Sequence, residues 1–320
     1  MRQVFLDIQK QFTYNPTIAN RKKYAVAKKF IILGMGGSHL AADLIKNYNP
    51  QIDLLIHKNY GLPELADKDL KQSLIIANSY SGNTEEVLDG LKIATKKKLN
   101  IIVIATGGKL ISLAKKNNLP YIQMPNWGIQ PRCALGLNCR AILKALGQNQ
   151  AYAEIGNLAK TLKGKNYEAK GKTIAKMLKN KIPVIYSSEN NYAIAYNWKI
   201  KFNENSKIPA FCNTLPELNH NEMTGFDISP ESKKLSQNFF FIFISDDTDH
   251  KQIQKRMLVT AKLYKKRNLP TINLKLAGKN KWQKIFSNLL IADWASYYNA
   301  KNYNHNPEQV PMVEEFKKMI

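Results

Sequence analysis

The chain reads as an α/β protein built from two parallel sheets, each with helices on both faces. Three observations predict this. Short apolar runs alternate with helix-patterned segments along most of the sequence, as parallel strands joined by crossover helices require. Two of these runs end in turns rich in glycine and hydroxyls, Gly34-Met35-Gly36-Gly37-Ser38 and Ser79-Tyr80-Ser81-Gly82-Asn83-Thr84, and each turn opens a helix. The alternation then starts afresh at Ile182, beyond the breaker Gly147-Gln148-Asn149-Gln150. At 320 residues the length fits two domains better than one, with the boundary read at 1–148 and 149–320.

Taken in order, a helical pattern from Ile18 to Lys28 precedes the first buried strand, Phe30-Ile31-Ile32-Leu33. The amphipathic stretch Leu40 to Asn47 follows the first turn. Strands are predicted at Ile52 to Ile56 and Ser73 to Ala77, the latter entering the Ser79 turn, with a helix from Glu85 to Lys98 beyond it. Ile101 to Ala105 runs into Thr106-Gly107-Gly108, and Tyr121 to Met124 ends at Pro125. A helix from Pro131-Arg132 to Leu146 closes the first half. The second half reads as helices at Ala153 to Lys163 and Glu168 to Asn180, a strand at Ile182 to Ser188 and a helix from Ala193 to Asn203. A strand at Phe239 to Ile244, a helix from Ile253 to Arg267 and a strand at Thr271 to Leu276 come next, then helices at Trp282 to Tyr298 and Met312 to Lys318. Trp282, Trp294, Tyr297 and Tyr298 recur at helical spacing, which points to core packing.

In a parallel sheet, ligands bind outside the carboxyl ends of the strands, so the two glycine-hydroxyl turns can share one crevice. A helix N-terminus presents unpaired N–H groups and the positive end of the macrodipole. Ser38, Ser79, Ser81 and Thr84 add side-chain donors, while Gly36, Gly37 and Gly82 let the backbone approach closely. Together these suit a phosphate monoester. The same residues also fit ordinary helix caps with turn glycines. The first turn lacks the Gly-x-Gly-x-x-Gly spacing and the Walker Lys-Ser/Thr, so a dinucleotide or P-loop site is not indicated. The second half looks like a diverged repeat. Ser187-Ser188-Glu189-Asn190 and Ser245-Asp246-Asp247-Thr248 stand where the first half has its turns. Their acidic groups would repel a phosphate and are more simply N-caps, so one phosphate site per chain is expected, in the first half.

The net charge of +24 at pH 7 is almost all lysine, with only six arginines in the chain. Nucleic-acid readout leans on arginine forks, so the excess reads as a solvated basic surface that attracts anions, and no nucleic-acid partner is expected. No apolar segment approaches the roughly 20 residues that span a bilayer, and the N-terminus lacks a signal-peptide core. A soluble, cytoplasmic protein with no membrane partner is expected. Three cysteines without a Cys-x-x-Cys pair fit that compartment. Five scattered histidines give no metal-ligand spacing, and neither a metal nor a cofactor is expected. His57, His250 and His305 have no companion groups and read as surface or structural residues.

These turns, with Gly107-Gly108-Lys109-Leu110, Pro131-Arg132, Asn203-Glu204-Asn205-Ser206-Lys207 and Glu217-Leu218-Asn219-His220-Asn221-Glu222, resemble those of the sugar isomerase (SIS) domain. The SIS domain is a phosphosugar-binding, flavodoxin-like fold, and the whole chain looks like two in tandem. More narrowly, it is similar to the bifunctional phosphoglucose/phosphomannose isomerases of archaea and bacteria. The hydroxyl turn identifies only the superfamily, whereas Glu217 to Glu222 is the more specific motif. His39, where relatives carry a small residue, and the scarcity of arginine are departures.

The resemblance implies interconversion of glucose 6-phosphate, and mannose 6-phosphate, with fructose 6-phosphate through a cis-enediol. One carboxylate must move a proton between C1 and C2, and Glu204, set among Asn203, Asn205 and Ser206, suits that role. An imidazole titrating near neutrality can open the sugar ring, and His220 in its polar surroundings fits. In the family this histidine comes from the other subunit, which implies a homodimer with composite sites. Arg132 would stabilise charge on the enediolate, although packing at a helix start is its other reading. Lys317 corresponds to a lysine near the end of relatives, with Lys318 competing for the place. Two alternatives stand beside this one: a non-catalytic phosphosugar-binding SIS regulator, and another SIS sugar-phosphate isomerase. The short segment before Phe30 leaves little room for the DNA-binding helices of such regulators.

Overall fold

The computed structural model describes residues 1–25 and 27–319. It divides into two compact units, Asp7–Leu162 and Met1–Leu6 with Lys163–Ile320. The opening helix α1 (Arg2–Leu6) therefore belongs to the second unit. In the first unit five strands, β1 (Lys29–Leu33), β2 (Leu54–His57), β3 (Ser73–Asn78), β4 (Asn100–Ala105) and β5 (Tyr121–Gln123), form one sheet in the order β2-β1-β3-β4-β5. Every pairing is parallel. The helices are α2 (Gly37–Tyr48), α3 (Asp67–Gln72), α4 (Glu85–Lys96), α5 (Gly108–Lys116), α6 (Leu135–Ala145), α7 (Asn149–Gly156) and α8 (Leu158–Thr161).

All six residues of β3 are buried, because a central parallel strand is covered on both faces. Ile75, Ala77, Ile101 and Val103 meet Val87 and Leu91 of α4 and Leu110 and Ile111 of α5 in one apolar cluster. Burying each of the larger side chains contributes about 1.5–3 kcal/mol. The chain order reverses between β1 and β3, so the loops leaving those two strands flank the switch point where such sheets bind ligands.

The second unit repeats the plan with four strands, β6 (Ile182–Ser188), β7 (Phe211–Leu215), β8 (Phe239–Ser245) and β9 (Thr271–Lys275), in the order β7-β6-β8-β9, all parallel. Its helices are α9 (Glu168–Met177), α10 (Tyr192–Lys201), α11 (Lys233–Ser236), α12 (Lys251–Lys266), α13 (Lys281–Asn302) and α14 (Pro311–Met319). Tyr186, Phe241, Phe243 and Tyr264 build an aromatic core, with Phe241 and Tyr264 edge to face at 4.5 Å between centroids. Trp282 and Trp294 are wholly buried, as their helical spacing predicts, with Tyr297 and Tyr298 half-buried beside them; Trp198 is wholly buried as well.

The architecture differs from the sequence reading in four places. Residues 18–28 do not form a helix. Ala19 bridges to Tyr121, Asn20 is left-handed, and only Arg21–Lys23 makes a single tight turn; Val26 lies outside the described residues. The edge strand β7 goes unpredicted, since Phe211 is exposed and Asn213 and Thr214 interrupt the apolar pattern. A boundary at 148/149 would also cut through the first unit. Ile155, Leu158 and Leu162 are buried there, and the Tyr48 hydroxyl of α2 donates to Glu154 of α7 at 2.6 Å. Conversely, Phe5 stacks edge-on against Trp294 and Arg2 pairs with Glu168 at 3.1 Å, fastening the first six residues to the second unit. The fourth difference concerns the acidic strand ends and is taken up with the site.

Candidate active site

The turn after β3 is shaped by hydroxyls bonded to one another. Ser79 Oγ lies 2.7 Å from Thr84 Oγ1 and 3.4 Å from Ser81 Oγ, and the Gly82 and Asn83 N–H groups donate to Ser79 and Ser81 respectively. Gly82 has φ +73°, and a Cβ there would lie 1.9 Å from the Gly107 carbonyl oxygen. The Gly107-Gly108 turn after β4 thus packs backbone to backbone against the Ser79 turn. The Leu110 N–H donates to the Gly82 carbonyl at 2.9 Å and the Lys109 N–H to Asn83 Oδ1 at 3.0 Å.

Thr84 is the first residue before α4, yet its hydroxyl does not cap that helix; it is engaged with Ser79 instead. Helix α2 begins after Gly36 and α5 after Gly107, neither of which has a capping side chain. Helices α2 and α4 therefore start without a side-chain cap, which leaves N–H groups of their first turns for a ligand, whereas in α5 the Lys109 and Leu110 N–H groups are already taken by Asn83 Oδ1 and the Gly82 carbonyl. The other reading of these turns, ordinary side-chain capping, is not what the geometry has.

The turn after β1 joins the same cluster. The Tyr80 N–H donates to Ser38 Oγ at 2.9 Å, and the side-chain amides of Asn78 and Asn138 both donate to the Ser38 carbonyl, at 2.8 and 3.2 Å. Gly37 abuts the Pro131–Arg132 peptide so closely that a Cβ would sit 2.7 Å from the Pro131 carbonyl carbon. Arg132 is 2% exposed, and its Nη1 donates to Gln130 Oε1 at 3.3 Å. Gly36, Gly37, Ser38, Ser79, Ser81, Thr84 and Arg132 are thus gathered on neighbouring loops of one unit. Asn78 and Asn138 were not foreseen, although a polar residue ending an all-apolar strand and another inside a buried helix face were available signals. His39 is buried, with Nδ1 2.6 Å from Asp43 Oδ2 one turn along α2. Burial pushes the Tyr80 phenol upward.

In the second unit Glu204 lies on a widened π-turn, Phe202–Ser206, that continues α10. It is half-buried, while its neighbours Asn205 and Ser206 are fully buried. The turn ends at Lys207, which is left-handed at φ +55°. Such i→i+5 turns are rare and frequent at functional sites. His220 follows the short turn Glu217–Asn219 beyond β7. Its imidazole is exposed and makes no hydrogen bond among the described residues, whereas the residues around it are held. Asn221 Nδ2 donates to Glu217 Oε1 at 2.7 Å and Asn219 Nδ2 to Thr260 Oγ1 at 2.8 Å. Glu222 accepts from the Tyr186 hydroxyl and from Asn213 Nδ2, each at 2.5 Å. Burial and the Tyr264 phenol push Tyr186 strongly upward, with Glu222 adding to the shift. Lys317 sits on α14, a helix with no buried residue, and pairs with Glu314 at 3.0 Å. Glu204, His220 and Lys317 therefore occupy three separate elements of the second unit.

The strand ends of that unit are filled from within. Ser188 Oγ donates to Asp249 Oδ1 at 2.7 Å, and Asn191 Nδ2 donates to Ser188 Oγ at 3.1 Å. Lys284 binds Asp246 at 2.6 Å, and Asp246 accepts the Thr248 N–H at 3.1 Å. Asp246 and Asp247 are therefore not helix N-caps as expected, Asp247 pairing with Lys275 at 2.7 Å. His250 caps α12 by accepting the Gln252 N–H on Nδ1 at 3.1 Å, and Asn280 caps α13. Burial, with Asp246 nearby, pushes Asp249 up; Lys284 and the Thr248 N–H hold Asp246 down against the effect of its burial.

Residues 167–320 match the family described as the bacterial phospho-glucose isomerase C-terminal SIS domain. The chain is 32% identical over 299 residues to a bifunctional phosphoglucose/phosphomannose isomerase from Aquifex aeolicus, covering 92% of this chain and 90% of that one. It is also 31% identical over 202 residues to a D-glucosamine-6-phosphate 4-epimerase from Sulfolobus acidocaldarius, covering 62% of this chain and 63% of that one. Among solved structures, glucosamine-6-phosphate deaminase from Thermotoga maritima superposes with a TM-score of 0.64 at 16% identity, covering 97% and 96% of the two chains, and shares the fold.

Proposed function

The chain belongs to the bifunctional phosphoglucose/phosphomannose isomerase family, and on that premise we propose that it interconverts glucose 6-phosphate and mannose 6-phosphate with fructose 6-phosphate. The observation that carries the reading is the Ser79–Thr84 hydroxyl pair: it leaves α4 without a side-chain cap, which supports a phosphate as the partner of the N–H groups in its first turn. In this reading the phosphate is held by Gly36, Gly37, Ser38, Ser79, Ser81 and Thr84. Glu204 moves the proton between C1 and C2, and Arg132 stabilises the enediolate with fixed guanidinium donors.

His220 opens the ring and is donated to the site of a partner in a homodimer; its exposed, unbonded imidazole among well-held neighbours supports that assignment. Lys317 on the exposed α14 completes the proposed set. The three cysteines are free thiols, which supports the cytoplasm as the working compartment. Among the described residues no helix is long and apolar enough to cross a membrane.

The test is a coupled assay on each of the three hexose 6-phosphates, with and without a chelator, run beside an assay for 4-epimerisation of glucosamine 6-phosphate. Isomerisation of the hexose phosphates, unchanged by chelation, is expected. Inactivity on all three in a folded protein would refute the proposal, and turnover of glucosamine 6-phosphate alone would redirect it to the epimerase.

A further inference from the structure

Beneath the turn that carries Glu204 runs a buried polar seam that the chemistry above does not use. Helix α10 and the π-turn face α13 through Trp198, Lys201, Asn205 and Ser206, each no more than 1% exposed. Trp198 Nε1 donates to Asn288 Oδ1 at 2.6 Å, and Lys201 Nζ pairs with Asp293 Oδ1. Asn205 Nδ2 donates to Ser296 Oγ at 2.9 Å and Ser206 Oγ to the Ser296 carbonyl at 2.8 Å. Ser296 Oγ in turn donates to the Asp293 carbonyl at 3.1 Å.

A buried ion pair is a poor source of stability, because desolvation offsets much of the attraction and apolar residues of the same volume often serve as well. What this seam adds is direction. Its bonds fix the rotation of α10 about its own axis, and the last two end on the residues that directly follow Glu204. In a regular helix, residues three and four positions on share a face, so Glu204 and Asn205 would both lie on the face of Lys201. The i→i+5 turn widens that spacing. Ser206 joins Asn205 in the seam at full burial, whereas Glu204 is half-exposed. On the other side Asn203 is held by donating Nδ2 to the Ile208 carbonyl at 3.0 Å.

We infer that Lys201, Asp293 and Ser296 are positioning residues that aim the Glu204 carboxylate by holding the π-turn against α13; this rests on the reading of Glu204 as the proton-transferring base. The phosphate-binding residues of that reading belong to the other unit, so loosening the seam acts on kcat and leaves KM alone. Two variants test it, Ser296→Ala and the double variant Lys201→Met with Asp293→Leu, which removes both charges without leaving either unpaired. Each is assayed for kcat and KM with fructose 6-phosphate, alone and combined with Glu204→Gln, with thermal melting as the check on folding.

The expected result is a loss of about tenfold or more in kcat with KM within twofold, since a carboxylate misplaced by about 1 Å loses up to about 100-fold. Combination with Glu204→Gln should give no loss beyond that of Glu204→Gln alone. Parental kcat in folded variants, or a change confined to KM, would overturn the inference while Glu204→Gln remained inactive. Loss of the folded state in both variants would make the seam a stability element and overturn it too. An active Glu204→Gln would instead remove the base reading on which it stands.

Discussion

Replacing Gly37 by alanine should separate two pieces of the site that are now in backbone contact. The added Cβ would lie 2.7 Å from the Pro131 carbonyl carbon and 2.8 Å from the Arg132 nitrogen. Carbon atoms pack comfortably at about 3.5 Å, so α2 and the Pro131–Arg132 turn must move apart by about 0.8 Å. The obstructing atoms are mainly backbone, which denies the strain a rotameric escape. Overpacking of this kind costs about 1–3 kcal/mol, or about 3–10 °C in Tm for a unit of this size.

The same displacement carries Arg132 away from the Ser38 turn, and a shift approaching 1 Å lowers turnover by about 30–100-fold. Thermal melting and a coupled isomerase assay read the two effects separately. Gly36→Ala is the control for stability: with no atom within 4 Å of its Cβ, it should cost only the backbone strain of holding alanine at φ +49° and ψ −129°, about 1–3 kcal/mol. A folded Gly37→Ala enzyme with kcat within threefold of the parent would refute the argument that this contact sets the spacing of the site.

Further outcomes follow from the same geometry. Glu204→Gln should lower kcat by about 10³-fold or more while calorimetric binding of fructose 6-phosphate stays within about threefold; a mild kinetic effect removes Glu204 from the base role. Glu222→Ala leaves the Asn213 amide without this partner and the buried Tyr186 hydroxyl with only the 3.4 Å contact to Tyr264, and should destabilise the protein by about 1–3 kcal/mol, seen as a lower midpoint in urea. An unchanged midpoint would mean that this network does not stabilise the fold. Glu168 is held down to about 2 by Lys165 and the Tyr298 hydroxyl, with Arg2 adding to them. A carboxylate depressed in the folded state contributes stability above its unfolded value of 4.5, and that contribution fades as the pH falls toward 2. The Tm gap between the parent and Glu168→Gln should therefore be full at pH 7 and vanish near pH 2; a gap independent of pH would contradict the assignment.

The central strands were legible because burial on both faces leaves nearly continuous apolar runs, as in Leu74 to Ala77 and Phe239 to Ile244. Where the physics is not written in local pattern, the reading failed. Residues 18–28 have helical periodicity, but a bridge from Ala19 to Tyr121 and a left-handed Asn20 interrupt it, the first of these a contact between segments far apart in the chain. The edge strand β7 is held by its ladder to β6 rather than by apolar alternation. Motifs fared differently from boundaries. The Ser79 turn and the Gly37 turn were readable as companions because strand-end turns of a parallel sheet lie side by side. The buried partners of Ser38, and the seam behind Glu204, required knowing which helix faces meet.

The proposed phosphate site lies in the first unit only, and the support for that placement lies in how each unit closes its strand ends. In the first unit α2 and α4 begin without a side-chain cap, and the loops leading into them carry hydroxyls and glycine, acids entering only with Glu85 and Glu86 in the first turn of α4. In the second, α12 and α13 are capped by their own His250 and Asn280, and the Asp249 carboxylate already takes the donors Ser188 and Asn191. A phosphate arriving there would have to displace a built-in anion with Asp246 close by, so both charge and hydrogen bonding oppose it. On the proposal that the phosphate binds in one unit, the strand ends of the other need not remain donors. The segment after α10 can then take the widened turn that presents Glu204, a geometry that satisfying a phosphate at the same strand end would not require.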